Sequence, residues 1–303
     1  MRIGTSLRSA YAVDDHRTGA QWMVERTRAA FDAGLDSLFV GDHHSTGPIP
    51  YYQNVAIMGR LLAEWHGRTA GILMLLPLWN PVLAAEQLGT LAAIHDGPFV
   101  LQCAVGGGPE QFAAMGATLN RRPSMFEASL SIIRRLLAGE VVSMEAPFRI
   151  ERARIAPLPA DDVEVWIGAA APTAIDRAAR LGDAFLVGPE ATPTDAARLV
   201  TEYRERCAVH GTTPGRIAIR RDVHVGDDAE VARVATPILE RGYRGFDPAA
   251  PVVGSIDAVT ESFAALARLG FTDVIVRHLA DDHDAVLASF GRLGAVHAAV
   301  ADL

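Results

Sequence analysis

Short aliphatic runs alternate with helical-period stretches along the whole chain, and this alternation restricts the fold more than any other feature. The runs are RIGTSL at 2–7, SLFVGD at 37–42, TAGILMLLP at 69–77, FVLQCAV at 99–105, EVWIGA at 164–169, DAFLVG at 183–188, RIAIRRDVHV at 216–225 and TDVIVRH at 272–278. Between the first two, GAQWMVERTRAAFDAG sets Trp22, Val24, Ala29, Ala30 and Ala33 at helical spacing before Gly34. Further helices are expected at about 54–66 and over PVLAAEQLGTLAAI, SMFEASLSIIRRLLAG, ATPTDAARLVTEYRERCAV and SIDAVTESFAALARLG. Asn80 is placed to cap the second of these, with Pro81 at its first position. Eight strands alternating with helices predict an α/β fold of the closed (β/α)8 type. A hairpin excursion is expected at about 140–156, before strand five, and an irregular insertion at 226–254, before strand eight. The rival is an open doubly wound sheet. Such a sheet would carry G-x-G-x-x-G after its first strand, and RIGTSLRSAYAVDD has none.

With 303 residues, half of them hydrophobic, the chain can bury a large core without metals or disulfides. No low-complexity tract or linker divides it, so 1–303 is expected to be a single domain. Lys+Arg 28 against Asp+Glu 36 gives a net charge of −8, the wrong sign for a nucleic-acid partner. The two cysteines, Cys103 and Cys207, form no disulfide framework and no thiolate metal motif. No apolar run reaches the roughly 18–20 residues that span a bilayer, and MRIGTSL does not read as a signal peptide. The expectation is a soluble, cytoplasmic protein with no membrane partner.

In a barrel, the carboxyl ends of the strands face a common pocket. GDHHSTGPIPYY at 41–52 then puts Asp42 and His43 on its rim. A metal site would need three or four convergent ligands, for which Asp42, His43 and His44, with Asp222 and His278 at later strand ends, are the candidates. Adjacent residues of an extended chain point in different directions, so no metal is expected. A neutral histidine can instead exchange a proton near pH 7, or either histidine can simply bond loop carbonyls. GGGPEQF at 106–112 lets the backbone of Gly106, Gly107 and Gly108 approach a planar ring, and Glu110 offers an acid or a substrate contact. IGAAAPTAIDRAAR at 167–180 reads as strand, small residues and helix N-terminus, a ready anion site. Tyr51, Tyr52, Trp79, Phe112 and Met115 lie in or beside the expected mouth and point equally to an apolar or aromatic substrate and to lid packing or a dimer contact.

The stretches AAFDAGLDSLFVGDHH, TAGILMLLPLWNPVLAAEQLGTLAAI, FVLQCAVGGGPEQFAAMGA and EVWIGAAAPTAIDRAARLGDAFL resemble, in order and spacing, the luciferase-like family of flavin- and deazaflavin-dependent oxidoreductases. The resemblance covers most of 29–187; the last third matches loosely. It implies a TIM barrel, often dimeric, with reduced cofactor at the carboxyl ends of the strands. The family's functional histidine falls on His43. Its strand-three bulge, often with a non-prolyl cis peptide against the cofactor ring, falls near Leu73 and Met74. The cofactor phosphate falls to the turn at Ala169, Ala170 and Ala171, with the backbones of Ala170 and Ala171 as donors. Two departures stand out: these alanines replace a glycine-glycine-serine type turn, and Gly97-Pro98 replaces a glycine-arginine pair.

Three functions remain open from this resemblance. The first is a monooxygenase that takes reduced FMN from a separate flavin reductase and uses O2 to oxidise a small organic substrate, with His43 beside the peroxide. The second is hydride transfer with the deazaflavin coenzyme F420, with His43 as acid or base, Glu110 as its partner and a deazaflavin reductase elsewhere. The third is a non-catalytic flavin-binding protein. The residues are expected to serve the first, as a homodimer binding its cofactor through Asp42, Leu73, Met74, Gly106–Gly108 and Ala169–Ala171.

Overall fold

The computed structural model describes residues 1–301. Its strands are β1 (Arg2–Leu7), β2 (Ser37–Val40), β3 (Thr69–Leu75), β4 (Phe99–Ala104), β5 (Val142–Met144), β6 (Ile150–Ala153), β7 (Glu164–Gly168), β8 (Ala184–Val187), β9 (Arg216–Val225), β10 (Val252–Gly254) and β11 (Asp273–His278). The main sheet runs β10-β9-β11-β1-β2-β3-β4-β7-β8, and a further β8–β9 pairing closes it into an eight-stranded barrel with β10 added beside β9. The strands run parallel in every register described for it, such as Ala70↔Phe99 to Leu75↔Ala104 between β3 and β4 and Arg2↔Asp273 to Thr5↔Val276 between β1 and β11. Strands covered on both sides read as continuous apolar runs, and β2 is buried throughout.

Contacts divide the described residues into two compact units. One comprises Met1–Arg8, Arg17–Phe39 and the chain from Trp166 onward. Phe185 stacks on Tyr203 at 4.7 Å and Phe39 tilts against Trp166 at 5.4 Å within its core. The other comprises Ser9–His16 and Val40–Val165, with Trp65, Met74, Cys103, Phe126 and Ile133 fully buried. Gly89, on its helix Pro81–Ile94, is fixed by close approach, since a Cβ there would collide with the Pro157 carbonyl.

Most expected elements form where the residues put them. Asn80 Oδ1 accepts from Val82 N and Leu83 N, and Pro81 opens the helix. The excursion before β7 is the antiparallel β5–β6 hairpin. The segment 226–254 is more regular than expected: it holds helices Asp228–Val234 and Thr236–Glu240, a 3-10 turn Tyr243–Gly245, and β10. Asp227 supplies the missing order by capping the first helix through Glu230 N. Likewise Pro109–Ala114, part of the expected loop after β4, is helical, and a terminal helix His283–Val300 follows β11.

Candidate active site

The chain leaves β2 at Val40, and two residues later Asp42 is buried, with 1% exposure. A buried carboxylate needs partners. Asp42 Oδ2 accepts from Leu75 N, at the end of β3, and from Trp79 Nε1, both at 2.8 Å. Its Oδ1 lies 3.2 Å from His44 Nε2. That pair meets the distance of an ion pair without the angle of a hydrogen bond, and neither atom has a hydrogen-bond partner. Asp42 therefore ties the loop after β2 to the turn after β3. Among the described residues His44 bonds no loop carbonyl; it packs edge-on against Trp79, ring centroids 5.5 Å apart, with its side chain turned to Asp42.

His43 is exposed and points elsewhere. Its Nδ1 lies 3.3 Å from Gln111 Oε1, and its ring meets Tyr51 edge-on at 5.5 Å. Gln111 Oε1 also accepts from His44 N at 2.9 Å, and this backbone donor fixes which end of the Gln111 amide is oxygen. An oxygen facing Nδ1 favours a proton there, which in a neutral ring puts the lone pair on Nε2. Gln53 Nε2 donates to the His43 carbonyl at 3.1 Å and holds the backbone. Gln111 comes from the first turn of helix Pro109–Ala114. Its role has no signature in the sequence, because it depends on how that helix folds back. Glu110, expected beside His43, is exposed and has no hydrogen bond to it; Gln111 occupies that place.

The glycine run ends β4. Gly106 and Gly108 adopt φ of 70° and 85°, left-handed backbone that favours glycine. A Cβ on Gly106 would lie 3.4 Å from Leu75 and Phe112, whereas at Gly107 and Gly108 it would meet nothing within 4 Å. Phe112, expected at the mouth, is 1% exposed because it anchors its short helix to this turn. Met115 remains exposed, and Tyr52 is held by its hydroxyl bond to the His16 carbonyl.

β3 corrects a further expectation. Its pairing continues without interruption through Leu73↔Gln102 and Met74↔Cys103. The cis peptides among the described residues are Gly47-Pro48, Ala146-Pro147 and Ala156-Pro157, so none is non-prolyl and none falls at Leu73 or Met74. Buried Asn54 donates to the Leu73 carbonyl at 2.6 Å and Asp42 accepts from Leu75 N, which occupies the backbone groups flanking the expected bulge. Met74 is fully buried and Leu73 half-buried.

In the other unit, β7 ends in Ala169, Ala170 and Ala171 and runs into helix Pro172–Leu181. Ala170 and Ala171 are exposed, and no side chain caps the helix. Ala169 N donates to the Leu186 carbonyl at 3.2 Å, which leaves Ala170 and Ala171 as the expected donors. Asp222 and His278, the further metal candidates, are engaged by Tyr243 and Arg244 and by Ser289. Among the described residues no three His, Cys, Asp or Glu side chains are grouped to hold a metal, and no helix is long and apolar enough to cross a membrane.

A family model described as luciferase-like monooxygenase matches residues 1–273. An F420-dependent glucose-6-phosphate dehydrogenase of Nakamurella multipartita is 27% identical over 199 residues, 62% of this chain and 58% of that protein. The match thus spans less than two thirds of that relative's length. Among solved structures, monooxygenase RslO1 from Streptomyces bottropensis superposes with a TM-score of 0.84 at 17% identity, covering 98% of both chains. An F420-dependent secondary alcohol dehydrogenase, in complex with an F420-acetone adduct, gives 0.80 at 16% identity, covering 97% of this chain and 98% of that one. At such identities these two likenesses speak for the fold.

Proposed function

The chain belongs to the luciferase-like monooxygenase family, and on that premise we propose that it is an oxidoreductase, acting as one domain, that passes a hydride between coenzyme F420 and a small alcohol or carbonyl substrate. The observation that carries this reading is His43 Nδ1 lying 3.3 Å from the acceptor Gln111 Oε1, which favours the proton on Nδ1 and leaves Nε2 as the basic nitrogen. Alcohol oxidation needs such a base: the hydroxyl proton must leave as the carbon gives up its hydride. When bound, the deazaflavin supplies the hydride acceptor, or the donor in reverse. His43 takes the hydroxyl proton on Nε2 and returns it in the reducing direction, while Gln111 keeps the ring oriented and Asp42 keeps the loop in place.

The residues present suit a planar, phosphate-bearing cofactor. Open space adjoins Gly107 and Gly108 at the end of β4, and the uncapped N-terminus of Pro172–Leu181 is exposed. In one unit Gly106–Gly108 and Leu73 are the candidates to hold a ring, and in the other the backbones of Ala170 and Ala171 are the candidate phosphate donors. Similarity to F420-dependent dehydrogenases at 26–27% identity favours the deazaflavin over the FMN monooxygenase that the sequence first suggests. The monooxygenase RslO1, at 17% identity, supports only the shared fold.

Anaerobic incubation with F420 and a panel of alcohols tests the proposal. Substrate-dependent loss of the oxidised deazaflavin absorbance is expected; its absence for every alcohol and, in reverse, every carbonyl compound, together with O2-dependent turnover on reduced FMN, would reject it.

A further inference from the structure

One face of β9, β11 and β1 carries an arginine cluster that the proposed hydride transfer does not use. Register pairs Arg220 with Ile275 and Asp222 with Arg277, and Ile275 with Gly4, so Arg220, Asp222 and Arg277 share a face. Alternation along β1 brings Ser6 to that face, and Arg8, just beyond the strand, is near enough to act on Arg277. His278 points the other way, its Nε2 3.0 Å from Ser289 Oγ on helix His283–Val300. The arginines thus lie on the inner face of the barrel strands, toward their carboxyl ends.

Asp222, fully buried, stands among them. Its Oδ2 accepts from Tyr243 Oη at 2.8 Å and Arg244 Nη1 at 2.9 Å, both from the segment before β10, and its Oδ1 lies 3.5 Å from Arg220 Nε. Arg8 pairs with Asp281, which is 73% exposed. Arg220, Arg244 and Arg277 therefore share one buried carboxylate. Arg220 Nε and Arg277 Nε are buried without a hydrogen-bond partner. Burial pulls Arg220 down to about 10 and lowers Arg277 as well, and the neighbouring arginines push in the same direction. A purely structural network would balance its charges, since unmatched buried charge is costly. With Oδ2 already taken twice, Asp222 has one oxygen left for the remaining arginines. An entering oxyanion would supply the missing charge and the acceptors that guanidinium forks match.

We propose that Arg8, Arg220, Arg244 and Arg277 form a seat for an oxyanion, a carboxylate or a phosphate, which stands on this cluster alone.

The test is calorimetric titration of the cofactor-free protein with inorganic phosphate and, separately, acetate, at constant ionic strength held with chloride. Saturable binding of at least one is expected, and which one binds distinguishes a phosphate from a carboxylate ligand. Arg277→Gln and Arg220→Gln should each weaken binding about tenfold or more, the worth of a charge-assisted hydrogen bond. Arg244→Ala, at a side chain 38% exposed, should do so with less risk to the fold, while Arg135→Gln on the surface should change nothing. Binding of neither anion, or undiminished affinity in the folded Arg244 variant, overturns the inference. So does displacement of the anion by F420, which would make the cluster a cofactor seat. An F420 titration of the same preparation separates the two proposals: F420 binding without anion binding rejects this one alone, and anion binding without F420 binding supports the seat while rejecting the deazaflavin.

Discussion

Replacing Gln111 with leucine removes one oxygen that does two tasks: it faces His43 Nδ1 at 3.3 Å and accepts from His44 N at 2.9 Å. The longer contact lies at an exposed ring, so its net worth is about 1 kcal/mol, and the shorter contributes a similar amount to the loop. Without the oxygen, Nδ1–H loses its preference and a share of His43 rings carries the proton on Nε2, where they cannot act as a base. A loss of about 1 kcal/mol in orientation corresponds to roughly fivefold in kcat, with cofactor affinity little changed. Gln111→Glu should retain the tautomer and strengthen the bond, raising the pH at which His43 loses its proton. The assay pairs turnover with nitrogen NMR of the histidine rings, which reads the tautomer directly and needs no substrate. Finding the wild-type His43 proton on Nε2, or an unchanged tautomer in the leucine variant, would refute the reasoning.

His43→Ala should depress turnover by at least about 10²-fold, the lower end for general acid-base catalysis, with cofactor affinity retained, as steady-state kinetics and titration would check. His44→Ala should act on stability instead: losing a ring packed against Trp79 beside buried Asp42 costs about 0.5–3 kcal/mol, read as a lower denaturation midpoint with most turnover kept. Ala170→Asp should weaken cofactor binding more than ~10-fold in a folded protein, by like-charge repulsion at the helix start, and unchanged affinity would remove that turn from the site. His278 is held neutral by burial, which lowers it to about 3. The unfolded chain therefore takes up its proton near pH 6.5 while the folded one does not, and stability should fall with pH between about 6.5 and 3 at up to about 1.4 kcal/mol per pH unit from this residue; acid unfolding of His278→Gln should be flatter there.

The parts of the molecule that local chemistry determines are legible in the sequence. Asn80-Pro81 starts a helix because a side-chain oxygen and a missing N–H suit that place, and the eight aliphatic runs become the barrel strands. What depends on distant partners is not legible. Asp42 looks like a rim carboxylate until Leu75 and Trp79 are folded against it. Gln111 looks like an unremarkable loop amide until its helix turns it toward His43. Phe112, in the same run, is drawn inward by Gly106 rather than left at a mouth. The insertion at 226–254 carries no strong periodicity, yet it delivers Tyr243 and Arg244 to Asp222.

The most direct measurement is an equilibrium titration of the purified apoprotein with coenzyme F420 and, in parallel, with FMN. The account predicts saturable F420 binding, weakened by Ala170→Asp and retained in His43→Ala, with FMN bound far more weakly. Tight binding of FMN with no detectable retention of F420 would contradict it.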